Sequence, residues 1–364
     1  MNLLFLEPFY GGSHKQWIDG YKNNSKHNIT VYSLPDRFWK WRMHGAAITL
    51  SNKLNTTSNH FDVIIASDML NISLFKSLLQ KGKASIPIVC YFHENQLTYP
   101  WSSTDQDVEL KRDQHYAFIN YTSALASDKV LFNSRYHKNS FLEALPSFLN
   151  QFPDFNNSDT VDLIAQKSDV LHLGLELQFL VDGEKHKNNI PIILWNHRWE
   201  YDKNPVDFFN VLYALSDLGI PFQLIVLGEK SGKYPTVFDE AKKKLVNHII
   251  HWGYATTREE YIALLLKSDL LPVTSCQDFF GISVIEAIAA GVTPLLPQRL
   301  AFPEIIGNNK FSNIFYKDEE LYDNLKIKLQ EATVNSDPLL RKSVLKYDWS
   351  NMVYKYDELF ELLK

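Results

Sequence analysis

Residues 269–297, DLLPVTSCQDFFGISVIEAIAAGVTPLLP, contain one complete unit of the architecture. An apolar run of strand length is followed by a polar loop, Gly281, a helix-length apolar segment and a second strand-like run. Two parallel strands cannot be joined by a tight turn, so this pattern reads as strand, crossover helix, strand. The stretch also raises a chemical question, because Glu286 stands inside the apolar helix. A buried carboxylate is costly unless a partner or a ligand compensates it.

The same alternation extends outward in both directions. NLLFLE (2–7), NITVYSL (28–34), FDVIIAS (61–67), IPIVCYFHEN (86–95), KVLFNS (129–134) and SDVLHLG (168–174) read as buried strands, with helix-length segments between them. A second series follows with IPIILWNH (190–197), PFQLIVLGE (221–229), IIHWGYA (249–255), DLLPVTS (269–275) and VTPLLP (292–297). Near-continuous apolar strands joined by helices predict parallel sheets covered on both faces, an α/β class. Between the two series, LVDGEKHKNNIP at 180–191 is polar and contains Gly and Pro, as a linker does. The expected division is a first doubly wound domain over 1–180, a linker at 181–191 and a second domain over 192–345. The last helix, 346–364, is then available to pack back on the first domain.

Bulk composition excludes little. With 364 residues, 45% hydrophobic and 22% charged, the chain is an ordinary globular protein large enough for two cores. A net charge of −5 argues against a generic nucleic-acid coat, though not against a local basic patch. Cys90 and Cys276 give neither a disulfide framework nor a metal knuckle. MNLLFLEPFYGG reads as a first strand rather than a secretory leader, and no run has the length of a membrane span. The expectation is a cytoplasmic protein without membrane attachment.

Ligands of doubly wound sheets bind beyond the carboxyl ends of the strands, so residues there carry the chemistry. After the first strand come Gly11 and Gly12, which allow a close backbone approach, and Ser13 and His14, which can open a helix. A plain turn is the competing reading, and the absence of G-x-G-x-x-G disfavours a dinucleotide. After the fourth strand, His93, Glu94, Asn95 and Gln96 crowd one loop with hydrogen-bonding groups. No second His lies at ligand spacing, so no metal is expected. In WNHRWEYDKNP, Arg198 and Lys203 have the charges a departing diphosphate needs, or are solvated loop residues. RFWKWRMHG at 37–45 interleaves Arg37, Lys40 and Arg42 with Phe38, Trp39 and Trp41, a mixture suited to unstacked bases and phosphates or to a basic helix with core tryptophans.

Taken together, these residues resemble the retaining nucleotide-sugar glycosyltransferases of GT-B fold, family 4, which carry Glu, seven residues and Glu; here the element is Asp278, seven residues and Glu286. More narrowly, EPFYGGSHKQ, LPDRFWKWR, YFHENQLTYP and WNHRWEYDKNP, in that order, resemble the tRNA-queuosine α-mannosyltransferase group. The resemblance implies two Rossmann-like domains facing across a cleft, GDP-mannose as donor and queuosine in the anticodon of tRNA-Asp as acceptor. It implies metal-independent transfer with retention. Gly281 starts a helix whose amino end, with Arg198 and Lys203, faces the diphosphate; Phe280, Gly11 and Gly12 join the donor site. Glu286 takes ribose hydroxyls, Asp278 hydroxyls of the transferred sugar, and His93 the hexose or the acceptor. Ser13, His14, Glu94, Asn95 and the 37–42 segment, including Trp39 and Trp41, fall to the acceptor. Asp278 is one methylene shorter than the family's Glu, which leaves the sugar open. A retaining enzyme acting on a lipid or polysaccharide would share every donor residue, and a non-catalytic nucleotide-sugar or RNA-binding protein is the non-enzyme alternative.

Overall fold

The computed structural model describes residues 1–102, 105–110, 114–230, 234–307, 310–331 and 337–364. The chain forms two compact units, Met1–Leu175 with Trp349–Lys364, and Glu176–Asp348.

The first unit is built on β1 (Asn2–Tyr10), β2 (Asn28–Pro35), β3 (Val63–Ser67), β4 (Ile88–Phe92), β5 (Lys129–Phe132) and β6 (Ser168–Val170), in the order β2-β1-β3-β4-β5-β6. All pairings are parallel, with Leu3 registered against Ile29 and Val63. Leu3, Leu4, Phe5 and Leu6 are buried in succession, which is why this strand is apolar without alternation. The helix Trp39–Thr56 places Ala46, Ala47, Leu50 and Leu54 in the core that the sheet face shares with Phe75, Phe92 and Phe141.

The helix Trp349–Glu361 belongs to this unit as well. It packs on the helix Gly12–Asn24, where Trp17 Nε1 donates to Tyr356 OH (3.0 Å) and Tyr21 OH to Asp357 Oδ1 (2.7 Å). The Trp349 indole fills the space that side chains at Gly20 and Gly174 would need, so both positions require glycine.

The second unit contains β7 (Ile192–Trp195), β8 (Gln223–Leu227), β9 (Ile249–Gly253), β10 (Leu270–Pro272), β11 (Thr293–Pro297) and β12 (Phe315–Tyr316), ordered β12-β11-β10-β7-β8-β9. Its core is rich in aromatics, with Trp195 against Phe208, Phe209 and Phe238. The two-residue β12 has no run long enough to show in the sequence.

Residues 181–191 differ from the expected linker. They lie inside the second unit, and the break falls at Leu175/Glu176. Lys185 Nζ donates to the Ser268 carbonyl, and Asn188 Nδ2 to Lys267 O (2.7 Å) and Asp269 Oδ2 (2.8 Å). The polar side chains that suggest a solvated tether are instead donors that close the carboxyl end of the helix Arg258–Lys267. Among the described residues no helix is long and apolar enough to cross a membrane.

Candidate active site

The helix Ile282–Ala289 follows β10 through the loop 273–281. Gly281 at its start has φ +87°, a left-handed conformation that disfavours a side chain, and an added Cβ would lie 3.0 Å from the Phe302 ring. Among the described residues no side chain caps this helix. Its amino end is tied to the end of β7, with Asn196 Nδ2 donating to Ser283 O (2.8 Å) and His197 Nδ1 within 3.0 Å of Ser283 Oγ.

Glu286 lies within this helix and is buried. Arg258 Nη2 donates to Oε1 (2.7 Å) and Tyr261 OH to Oε2 (2.8 Å). Burial works against the Arg258 charge, but the carboxylate outweighs it and holds the guanidinium pKa above its ordinary value. An ionised carboxylate offers about four acceptor sites. Two are taken within the protein, and acceptor capacity is left for a ligand.

Lys203 stands at the centre of the loop cluster. Its Nζ donates to Gln277 O (2.8 Å) and meets Asp278 Oδ2 at 3.3 Å and Asp202 Oδ2 at 3.2 Å. Burial disfavours the ammonium, yet Asp278 and Asp202 overcome it and raise its pKa. Asp278 also accepts the Phe280 N–H (3.3 Å), and the Phe280 ring packs edge-on against Tyr347 (5.2 Å). Arg198, at 52% exposure, pairs with Glu200 (3.3 Å). His197 is its buried neighbour. Burial, and then the Lys203 charge, lower its pKa to about 4, and its Nε2 has no hydrogen-bond partner among the described residues.

In the first unit the strand ends assemble a second buried cluster. Glu7 in β1 is fully buried and accepts the Phe9 N–H (2.9 Å), the Ser67 hydroxyl (3.0 Å) and His14 Nδ1 (3.0 Å). The His14 ring stacks on His93 with centroids 4.1 Å apart, and Trp17 meets His93 edge-on at 4.7 Å. Asp68 Oδ1 accepts the His93 N–H (2.8 Å), and Asn133 Nδ2 donates to the His93 carbonyl (2.9 Å). Burial opposes protonation of His14, but Glu7 prevails and raises its pKa to about 9. Burial, reinforced by the His14 charge, drives His93 well below its ordinary value. Burial also pushes Asp68 up to about 8.

Other expected residues sit differently. The close approach at Gly11 is made by the Asp36 carboxylate, which occupies the place of its missing Cβ, whereas Gly12 (φ +49°) opens onto free space. Ser13 is exposed at the start of the same helix. The buried Asn95 spends its carbonyl on Leu97 N (3.1 Å), Thr98 N (2.9 Å) and the Thr98 hydroxyl (3.1 Å), which makes it a turn former. Glu94 accepts from Gln96 Nε2 (3.1 Å). The segment 37–42 splits. Trp39 packs on Trp101 and Tyr116, while Trp41 and Phe38 are 63% and 70% exposed. Lys40, expected at RNA phosphates, is held by Asp105 (2.6 Å) and Asp107 (2.5 Å). Arg42 Nε donates to Pro35 O (3.2 Å), and Arg37 is exposed.

The family model for the tRNA-queuosine alpha-mannosyltransferase N-terminal region matches residues 2–175, and that for glycosyl transferases group 1 matches residues 179–342. The tRNA-queuosine alpha-mannosyltransferase of Drosophila melanogaster is 34% identical over 332 residues, 88% of this chain and 83% of that protein. The chain belongs to the tRNA-queuosine alpha-mannosyltransferase family. It is a hexosyltransferase.

Solved structures support the fold of this family member. The sucrose-phosphate synthase of Thermosynechococcus elongatus superposes with a TM-score of 0.71 at 11% identity, covering 100% of this chain and 99% of that one. The Anabaena HepE protein in complex with UDP and glucose gives 0.69 at 14% identity, with 99% of each chain covered. Two six-stranded parallel sheets with these likenesses make the fold GT-B.

Sequence reasoning missed the groups that act through other groups. Arg258 and Tyr261 are three apart on one helix face, which is a signal that they share a neighbour, but nothing in the sequence names Glu286 as that neighbour. His197 and Asp202 lie in the WNHRWEYDKNP stretch and turn inward while Arg198 turns outward. Glu7 is hidden in an apolar strand, visible only as the one charge in NLLFLE. Among the described residues no group of three or more His, Cys, Asp or Glu side chains could hold a metal ion.

Proposed function

We propose that this enzyme transfers mannose from GDP-mannose to queuosine in the anticodon of tRNA-Asp, with retention at the anomeric carbon. The observation that carries the reading is the match of residues 2–175, the acceptor-side half, to the tRNA-queuosine alpha-mannosyltransferase N-terminal model. Arg198 and Lys203, together with the uncapped amino end of the helix behind Gly281, stabilise the departing diphosphate. Lys203 is suited to this because Asp202 and Asp278 keep it charged while burial keeps it dry. Glu286, already fixed by Arg258 and Tyr261, takes the ribose hydroxyls on its remaining lone pairs. Asp278 addresses hydroxyls of the mannose, and His93 presents its ring to a sugar hydroxyl. Phe280 packs beside the donor, and Gly12 offers open backbone. On the acceptor side, the exposed Trp41 stacks on an unpaired base while Arg37 and Arg42 meet phosphates. The reaction uses no metal or resident cofactor, and it takes place in the cytoplasm, where its tRNA partner is.

The test is incubation of queuosine-containing tRNA with GDP-mannose and the protein, followed by nucleoside mass spectrometry. A hexose gain on queuosine, insensitive to EDTA, is expected. A gain with another nucleotide sugar in place of GDP-mannose overturns the donor assignment, and a chelator-abolished gain restored by magnesium overturns the metal-free one.

A further inference from the structure

The first unit hides a charged pair: His14, expected at the acceptor, is instead buried against Glu7, and the proposed function gives neither residue a role. Glu7 is completely buried, and its partner His14 is nearly so. A buried ion pair contributes little net stability compared with apolar residues of the same volume. Packing alone therefore does not account for it. The pair is also built with care, since Glu7 receives hydrogen bonds from the Phe9 backbone on its own strand and from Ser67 at the end of β3. The Glu7 carboxylate at 3.0 Å favours the imidazolium of His14. The His14 ring in turn lies almost flat on His93, at 4.1 Å and 29°. His93 Nε2 is buried without a hydrogen-bond partner among the described residues.

We propose that Glu7 and His14 are positioning residues for His93: the carboxylate fixes an imidazolium, and the imidazolium is the platform that holds His93 as an uncharged, hydrogen-bonding ring for a substrate hydroxyl. The last part rests on the reading that His93 meets the sugar. A cation stacked at this distance disfavours a second proton on His93, as like charges do in any shared site. A cationic His93 could only donate; an uncharged one both donates and accepts, as a hydroxyl requires. The remaining ionisable neighbours are consistent with this division. Asp68, just after β3, and Glu94, just after β4, favour the charge on His14, His137 disfavours a charge on His93, and Tyr91 packs against His93 at 5.0 Å.

The decisive experiment reads the histidine rings by nitrogen-edited NMR between pH 5 and 9, alongside the pH profile of donor turnover. In the wild-type protein His14 should be doubly protonated at pH 7.5 and His93 singly protonated throughout. His14→Phe keeps a flat ring under His93 and removes the charge. His93 should then titrate inside the range, and the acid limb of kcat should rise by about one pH unit or more, with the donor KM changed less than threefold. Glu7→Gln retains acceptors for Ser67 and Phe9 and should move both readouts the same way, which serves if His14→Phe does not fold. A wild-type His14 that is neutral at pH 7.5, or His93 titration unaltered in either variant, overturns the proposal. If the wild type transfers no sugar, the assigned reaction fails instead, and the ring titrations still decide the positioning role.

Discussion

At Glu286 a carboxylate that already holds Arg258 and Tyr261 is also the group proposed to take the ribose hydroxyls of the donor. Its carboxylate compensates Arg258 and Tyr261 and has capacity left for a nucleotide, so replacing it should do two things at once. Glu286→Ala should cost about 1–3 kcal/mol of stability, the scale for stranding buried donors, reduced because Arg258 is partly solvated. It should also weaken GDP binding while changing turnover at saturating donor little, because ribose contacts alter little as the bond breaks. Melting curves and titration calorimetry on Glu286→Ala and Glu286→Gln check both arms, and unaltered GDP affinity would remove Glu286 from the donor site. Lys203→Ala has the opposite profile. Turnover should fall by roughly two to three powers of ten, and Asp202 and Asp278 should be left in mutual repulsion. The histidines set pH limits of opposite sign. His197, with a pKa lowered to about 4, stays neutral in the fold while the unfolded chain takes up its proton, so its contribution is present above pH 6.5 and is lost as pH falls from 6.5 toward 4. His14, raised to about 9, contributes fully below pH 6.5 and loses that contribution as pH rises from 6.5 to 9. Melting temperature followed across pH should therefore drop less on the alkaline side in His14→Phe than in the wild type.

The helix Trp39–Thr56 shows how one element serves two masters. Its buried side holds Met43, Ala46, Ala47, Leu50 and Leu54, and Trp39 joins the Met43 side through Tyr116 and Trp101. Trp41, Phe38 and Ile48 face solvent, and Phe38 holds a left-handed φ of +59° just ahead of the first turn. Such a backbone conformation in a bulky residue is strained. Phe38 and Trp41 are both exposed at the start of this helix, as a surface for bases requires. The two tryptophans should therefore separate cleanly. Trp41→Ala should cost about 1–3 kcal/mol of tRNA affinity and leave melting unchanged. Trp39→Ala should lower the melting temperature, with a loss of at most about 3 kcal/mol because the ring is only half-buried. Lys40 is neutralised by Asp105 and Asp107, so the salt dependence of RNA binding attributable to this segment rests on Arg37 and Arg42. A double Ala variant at those two positions should reduce the slope of log affinity against log salt by roughly 1.4. A reduction in slope on replacing Lys40 alone would contradict this assignment.

For the molecule as a whole, the chain leaves the first unit at Leu175 and returns to it at Trp349. The returning helix inserts Trp349, Tyr356 and Phe360 among Trp17 and Tyr21, all buried. Asp357 accepts from Tyr21 and Ser25 at the far end. Each of the three aromatics is of the kind whose truncation costs about 3–5 kcal/mol, comparable together to the whole stability of a domain. A chain ending at Asp348 should therefore lose the cooperative melting of its first unit while the second unit keeps its own. Calorimetry of the truncated protein tests this, and an unchanged first-unit transition would make the helix dispensable.

The alternation of strand-length apolar runs with helices, and the positions at which those runs end, were legible in residue order, because burial on both faces of a parallel sheet leaves a continuous apolar signature. That local signature places His93, Arg198, Lys203 and Gly281 beyond strand ends, and the four quoted motifs carry the resemblance to the family. Partnership was not legible. Glu286 meets Arg258 and Tyr261, Lys40 meets Asp105 and Asp107, and Glu7 meets Ser67 across separations that depend on how the elements are arranged around the sheet. Residues 181–191 looked like a tether for the same reason: a polar side chain has the same letter whether it faces water or caps a helix seventy or eighty residues away. Periodicity depends on neighbours in the chain, so sequence specifies it; charge compensation depends on neighbours in space, and only the folded sheet order decides those.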